Sequence, residues 1–400
     1  MSKPPFIHRV KLRNYKSIAR CDVQLGPLTI LVGPNGSGKS NFLDALSLTR
    51  QALDVTLDHA LRERGGINEV RRRSGGHPSN FAIELHFTLP GGMKQGKYGF
   101  EVTSQSNGGF SVLNETCEIG SADALGTPMR FVVKEGKIAD TNIEVQLPRP
   151  ALDRLFLVSA SNIDEFRPVY DALTDMAFYS FSPDVMRSPQ SPDPGYILES
   201  DGHNLAGVLA ALEKRNAPSH QLIQKYLRQV TPGVQSVERI AIGNLETLQF
   251  RQQVAGQKSP WRFPAINMSD GTLRALAVLT ALLQGDGDSP SLIGIEEPEI
   301  ALHPAAAGIL WDALMDGQDR AQVLVTTHGP DLLDRKDIPI NSILATDSDA
   351  GRTEIGPVIE SSRQLIRERL ATPGELLRQK RLTPTEKSLE SLADFTGRLV

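Results

Sequence analysis

Four short stretches combine glycines, acids, a lysine and a histidine in patterns suited to chemistry on a phosphate. The first is Gly33-Pro-Asn-Gly-Ser-Gly-Lys-Ser40. Glycines at 33, 36 and 38 let the backbone curl so that successive N–H groups point inward at phosphate oxygens, and a helix starting there adds the positive end of its dipole. Lys39 is spaced to reach β- and γ-phosphates, and the Ser40 hydroxyl to ligate Mg²⁺. Asn35, Ser37 and Asn41 lie within or beside the loop and count with Gly33, Gly36 and Gly38 as candidate nucleotide contacts. The second stretch is Glu296-Glu297-Pro298, where an apolar strand ends in adjacent acids. In a nucleotide site Glu296 would hold the Mg²⁺ and Glu297 would orient or deprotonate the attacking water. Neighbouring strand residues point to opposite faces, so the chain is expected to turn at Glu297, and Pro298 agrees with that.

The third stretch delivers His328 to the end of the buried run 323–326, where open α/β sheets bind ligands; its imidazole could contact a γ-phosphate and sense its loss. The fourth is Ser269-Asp-Gly-Thr272. Ser269 stands where a helix cap should, ahead of Leu273, Leu276, Ala277 and Thr280 at helical spacing. By itself this is either a well-capped core helix or a helix N-terminus able to hold an anion.

Periodicity outlines the secondary structure around these stretches. Residues 28–32 read as a buried strand running into the loop, and Phe42, Leu43 and Leu46 as the apolar face of the helix after it. Two short strands around 14–17 precede them. Residues 51–64 continue the helical pattern and Gly65-Gly66 ends it. Five arginines between Arg62 and Arg73 are a candidate phosphate-contacting surface, the alternative being a solvated loop. From 81 to 147 the period drops to two, which predicts an antiparallel meander whose last strand is 143–147. Residues 150–230 return to helices around a Pro-rich piece, 182–195, expected to be irregular and to be either a linker or a loop at the site. Residues 237–251 read as a strand pair, and Gly351-Arg-Thr-Glu354 as a hairpin turn between Ile343 and Ile355.

The expected class is α/β, with a mixed central sheet, the meander and a helical lobe. The expected division is 1–150, 151–260, 261–360 and a helical tail at 361–400. A net charge of −4 with 40% hydrophobic and 22% charged residues fits a protein with a sizeable core and argues against a dedicated nucleic-acid coat. Cys21 and Cys117 suggest neither a disulfide framework nor a metal site, and no apolar run or leader points to a membrane, so a cytoplasmic location is expected.

In their order, these motifs resemble the ABC-type ATPases of the SMC, RecF and OLD group. Gly33 to Ser40 matches the Walker A loop, Ser269 to Thr272 the signature, 295–299 the Walker B strand with Glu297 as catalytic glutamate, 299–304 the D-loop, and His328 the switch histidine. The Asn14-Tyr-Lys-Ser17 element is similar to one that contacts nucleotide in that group, which implies Lys16 as a ligand. Three departures stand out: Glu296 replaces the usual Asp, Asp270 replaces a signature Gly, and Gly329 follows the histidine where Ser is common. The resemblance implies ATP and Mg²⁺ as cofactors. It also implies a homodimer in which Ser269 and Gly271 meet the nucleotide of the opposite subunit, and a role in DNA repair or antiphage defence, with DNA or a separately encoded effector as partner and no membrane. Coiled-coil arms are not expected between Ser40 and Ser269. The competing readings are an OLD-like ATPase-nuclease, invited by Asp347-Ser-Asp349 but with a stretch after Asp349 expected to be too short for a further α/β domain, and a transporter's nucleotide-binding subunit.

Overall fold

Strands β1 (Ile7–Tyr15), β2 (Ile18–Gln24) and β3 (Leu28–Val32) open the chain, and β3 is buried at every position, as a continuous apolar run covered on both faces should be. A computed structural model describes residues 5–74, 78–106, 108–122, 127–144, 147–285 and 289–385. Helix α1 (Lys39–Gln51) buries Phe42, Leu43 and Leu46, each burial worth about 1.5–3 kcal/mol. One π-helical stretch (Ala52–Thr56) links it to α2 (Leu57–Arg62), where Thr56 Oγ1 accepts the His59 N–H at 3.1 Å as an N-cap. Gly65 and Gly66, at φ 84° and 95°, end the helix, and α3 (Ile67–Val70) comes next.

The meander is β4 (Asn80–Thr88), β5 (Lys94–Ser104), β6 (Phe110–Ser121), β7 (Met129–Lys134) and β8 (Lys137–Thr141). The expected strand at 143–147 is not formed at 143–144, and 145–146 lie outside the described residues. The last strand is instead β8, a largely exposed edge whose Lys, Asp and Thr carry no apolar alternation.

Beyond the meander lie α4 (Leu157–Ala160), α5 (Arg167–Thr174), β9 (Ala177–Tyr179), α6 (Pro183–Arg187), α7 (Leu205–Arg215) and α8 (Ala217–Val230). The Pro-rich stretch is thus not wholly irregular: Pro183 opens α6 at a first-turn position whose N–H has no helical partner to lose. The rest of the chain forms β10 (Val234–Ile242), β11 (Leu245–Gln252), β12 (Trp261–Pro264), α9 (Asp270–Leu283), β13 (Leu292–Glu296), α10 (Ala307–Gln318), β14 (Gln322–Thr327), β15 (Ile343–Asp349), β16 (Arg352–Pro357), α11 (Glu360–Arg367) and α12 (Pro373–Arg378). Of the expected tail, 386–400 lies outside the described residues.

The chain divides into two compact units, Met1–Met176 with Asp337–Ala371 and Leu376–Val400, and Ala177–Lys336 with Thr372–Glu375. In the first, the strand order is β8-β7-β6-β5-β4-β1-β2-β16-β15-β3. The expected β15–β16 hairpin forms, but it turns at 350–351 with 352–354 already in β16; it lays Ile343–Ala345 parallel to Ile30–Val32 of β3 and brings Thr353 of β16 beside Ile18 of β2. Phe131 is packed edge-on by Phe156 and Phe166, with ring centroids 5.0 and 5.2 Å away. In the second unit β9, β13 and β14 run parallel, and β10–β11–β12 form a separate antiparallel sheet. Helix α9 buries every residue from 275 to 283, the pattern of a central helix that is apolar all round. Among the described residues no helix is long and apolar enough to cross a membrane.

Candidate functional site

In the first unit the run from β3 into α1 builds a cradle. Gly36 and Gly38 have φ of 77° and 98°, a region that costs L side chains, and Gly38 is the N-cap of α1. A Cβ on Gly33 would stand 2.0 Å from the Thr346 carbonyl oxygen, so the loop lies directly against β15. The buried Lys39 ammonium donates to the Gly33 and Pro34 carbonyls at 2.8 and 2.9 Å, curling back over the loop. Asn35, Gly36 and Ser40 are exposed, whereas the Ser37 hydroxyl is buried without a hydrogen-bond partner. This donor set, a curled glycine backbone at a helix N-terminus with a lysine and an accessible serine hydroxyl, fits a nucleotide phosphate with its Mg²⁺.

The loop is braced from below by residues that periodicity does not single out. Thr353 sits under Gly38, and its Oγ1 is 2.7 Å from Ser17 Oγ, which accepts from Asn41 Nδ2 at 2.7 Å. Asn41 therefore serves the framework. Asn14 and Lys16 both lie in the left-handed region, at φ 54° and 47°. The Lys16 ammonium pairs with Asp44 on α1 at 2.5 Å. Asp44 also accepts from Tyr15 Oη and Arg64 Nε, both at 2.7 Å. Its position one turn after Ser40 on the same helix is the signal in the sequence that could have found it.

The arginines of the run each have a local partner, while Arg62 and Arg73 stay exposed. Arg62 pairs with Asp58 at 2.9 Å, Arg71 donates to the Pro78 carbonyl at 2.8 Å and Arg73 pairs with Glu69. Arg72 Nη1 donates to the Ser17 carbonyl at 2.9 Å. Each of these guanidinium groups has an acid or a carbonyl at hand, and only those of Arg71 and Arg72 are partly buried.

In the second unit Glu296 ends β13 opposite Thr326 of β14. Glu297 has φ 45° and its N–H donates to the Thr326 carbonyl at 3.0 Å, so the chain does turn at the second acid. That turn brings Glu297 Oε1 to 2.8 Å from His328 Nδ1. An ionised carboxylate only accepts, so Nδ1 carries the proton and Nε2 faces away from the pair. Beside them Glu299 is mostly buried and accepts from Thr327 Oγ1, while its Oε2 has no partner; burial holds its pKa above the usual carboxylate range.

Ser269 caps α9, its Oγ accepting the Thr272 N–H at 3.3 Å. A Cβ on Gly271 would stand 2.2 Å from the Ala301 carbonyl oxygen, and Ala301 is itself at φ 63°, so the turn after Glu297 presses on the helix start. Only glycine tolerates that approach. The acids offered by the nuclease reading, Asp347 and Asp349, lie on β15, and among the described residues no group of three or more His, Cys, Asp or Glu could hold a metal ion.

Residues 6–71 match the family described as "AAA ATPase domain", and residues 138–334 match "AAA domain, putative AbiEii toxin, Type IV TA system". The OLD nuclease of Thermus scotoductus is 23% identical over 347 residues, which cover 81% of this chain and 59% of that protein, so the chain spans under two thirds of its relative's length. Among solved structures, an SMC head bound to the C-winged helix domain of ScpA aligns with a TM-score of 0.55 at 14% identity, covering 90% of this chain and 100% of that one. An SMC head with an extended coiled coil, bound to the C-terminal domain of ScpA and derived from Pyrococcus furiosus, aligns at 0.51 and 12%, covering 92% and 99%. The chain therefore has the P-loop fold of an ABC-type ATPase head. In motif order and fold the chain is similar to the ABC-type ATPases of the SMC, RecF and OLD group, as its motif order led one to expect.

Proposed function

We propose that the chain binds and hydrolyses ATP and cycles through a dimer closed by nucleotide. The observation that carries this is the presence in one chain of a complete phosphate cradle at 33–40 and a turn that sets Glu297 against His328. In this reading the loop amides, Lys39 and, by resemblance, Lys16 hold the triphosphate. Ser40 and Glu296 hold Mg²⁺, which when bound neutralises phosphate charge. Glu297 takes a proton from the attacking water or orients it, and the Nδ1–H of His328 keeps that carboxylate pointed. Ser269 and Gly271 would complete the site of a second copy, so binding closes the dimer and hydrolysis opens it. Repair or antiphage defence, through DNA or an effector protein, is the role the resemblance suggests.

Two substitutions test the assignment. Lys39→Ala should abolish ATP binding in a fluorescent-nucleotide titration. Glu297→Gln should keep binding, lower turnover by about 10²–10⁴-fold, and accumulate a closed dimer in MgATP. Turnover at the parental rate in Glu297→Gln would sink the catalytic role. The second reading, an OLD-like ATPase-nuclease, draws on the OLD nuclease match. Incubation with DNA and Mg²⁺ decides it, cleavage by the purified chain being the outcome that favours it.

A further inference from the structure

Asp270 is a puzzle for an anion-binding helix start. It occupies the first position of α9, where a carboxylate suits the helix dipole but repels an incoming phosphate. The structure gives it a partner 83 residues earlier in the chain: Arg187, the last residue of α6. Arg187 Nη2 donates to Asp270 Oδ1 and to the Met268 carbonyl at 3.2 Å, Nε donates to the same carbonyl at 3.3 Å, and Nη1 donates to Asp184 Oδ1 at 2.8 Å. One guanidinium thus holds the residue before Ser269 and the residue after it.

The segment that presents Arg187 is itself fixed. Pro183 opens α6, Gln190 Nε2 donates to the Val185 carbonyl at 2.9 Å, and Gln190 exchanges backbone hydrogen bonds with Glu246 of β11 at 2.9 and 2.8 Å. On the other side Gly271 is pressed by the Ala301 carbonyl. An exposed ion pair alone would contribute little, but a planar fork that also takes a backbone carbonyl with two nitrogens fixes geometry as well as charge.

We propose that Arg187 is a positioning residue for the signature stretch: it neutralises Asp270 and sets residues 268–271 to receive the nucleotide phosphate of a second copy. The Pro-rich stretch 182–195 is the arm that carries it. This rests on the shared-site reading of the proposed function. Arg187 itself touches no nucleotide, so its loss acts on dimer closure and not on binding within one subunit.

The test is a double-mutant cycle in the Glu297→Gln background, reading dimerisation against protein concentration in MgATP by sedimentation. Arg187→Ala should raise the concentration for half-dimerisation by about tenfold or more, the scale of a lost charged hydrogen bond. Fluorescent-nucleotide binding by the dilute monomer should be unchanged. Adding Asp270→Asn should recover part of that loss, because the charge needing neutralisation is gone while the fork on the Met268 carbonyl is still missing. Arg187→Lys should restore only part, since it keeps the charge and loses the fork. Dimerisation of Arg187→Ala at the starting concentration overturns the proposal, and so does a defect that Asp270→Asn leaves undiminished. A starting protein that stays monomeric in MgATP overturns the shared-site reading and the role of Arg187 with it, which tells the two failures apart.

Discussion

Gly36 and Gly38 share a left-handed backbone but not their surroundings. A Cβ on Gly36 would meet nothing within 4 Å, whereas on Gly38 it would stand 2.2 Å from Thr353 Oγ1 and 2.9 Å from Thr353 Cβ. The first substitution to alanine therefore carries mainly the cost of its dihedral, about 1 kcal/mol. The second must also push α1 off β16, disturbing the Thr353–Ser17–Asn41 hydrogen-bond chain that braces the loop. Gly36→Ala should lower unfolding stability in urea by about 1 kcal/mol. Gly38→Ala should cost more and weaken fluorescent-nucleotide binding at least about tenfold, a loss of about 1.4 kcal/mol. Equal effects of the two substitutions would mean that Thr353 gives way freely and braces nothing.

At the level of secondary structure, Glu115 ties the meander to helix α4. It stands on β6, fully buried, and accepts from the N–H groups of Phe156 and Leu157 at the start of α4, the latter at 2.8 Å, and from Tyr98 Oη on β5 at 3.0 Å. Burial pushes its pKa up to about 7 against the pull of those three donors. A carboxyl whose pKa is raised by folding stabilises the fold below its ordinary range and loses that contribution as pH climbs to the folded value. Here the loss runs from about pH 4.5 to about 7 and totals about 3 kcal/mol. Glu115→Gln removes this titration, so between pH 5 and 7.5 its urea stability should fall less than that of the parental protein. The same slope in both proteins would show that Glu115 does not titrate in this window. Contacts of this kind also mark where sequence reading stops. The cradle, the turn at Glu297 and the β15–β16 hairpin are legible because each is local: glycines, a proline or a period of two sit where the chain must bend or pair. Glu115 meets Phe156 and Arg187 meets Asp270 across 41 and 83 residues, with no local pattern to announce either. Strand β9 has three residues, too few for a period, and the apolar alternation at 143–147 masks the polar edge strand β8 that forms instead. Pro183 hides a helix because a proline's harm depends on its place, and the first turn is where it does least.

For the whole molecule, the shared-site reading makes a claim about stoichiometry that no single-site enzyme would satisfy. If each site takes its cradle from one copy and Ser269–Gly271 from the other, the two halves of the machinery can be damaged on separate chains. Lys39→Ala removes the cradle of its own copy, and a bulky charged residue at Gly271, such as Gly271→Glu, removes the signature contribution to the partner's site and collides with the Ala301 carbonyl. Each variant alone should be inactive, since both of its sites carry a lesion. Mixed in equal amounts and allowed to exchange, half of the dimers pair one variant with the other. In a symmetric dimer of that kind one site collects both lesions and the second is intact, so the mixture should recover up to about a quarter of the parental turnover. Recovery should vanish when the mixture is diluted below the dimerisation concentration, and adding Glu297→Gln to the Gly271→Glu chain should abolish it, because the intact site uses that chain's cradle and its catalytic acid. An equimolar mixture as inactive as its parts, from two variants that still fold and dimerise with the parental protein, would mean that each chain builds its site alone, and residues 269–272 would revert to a capped core helix.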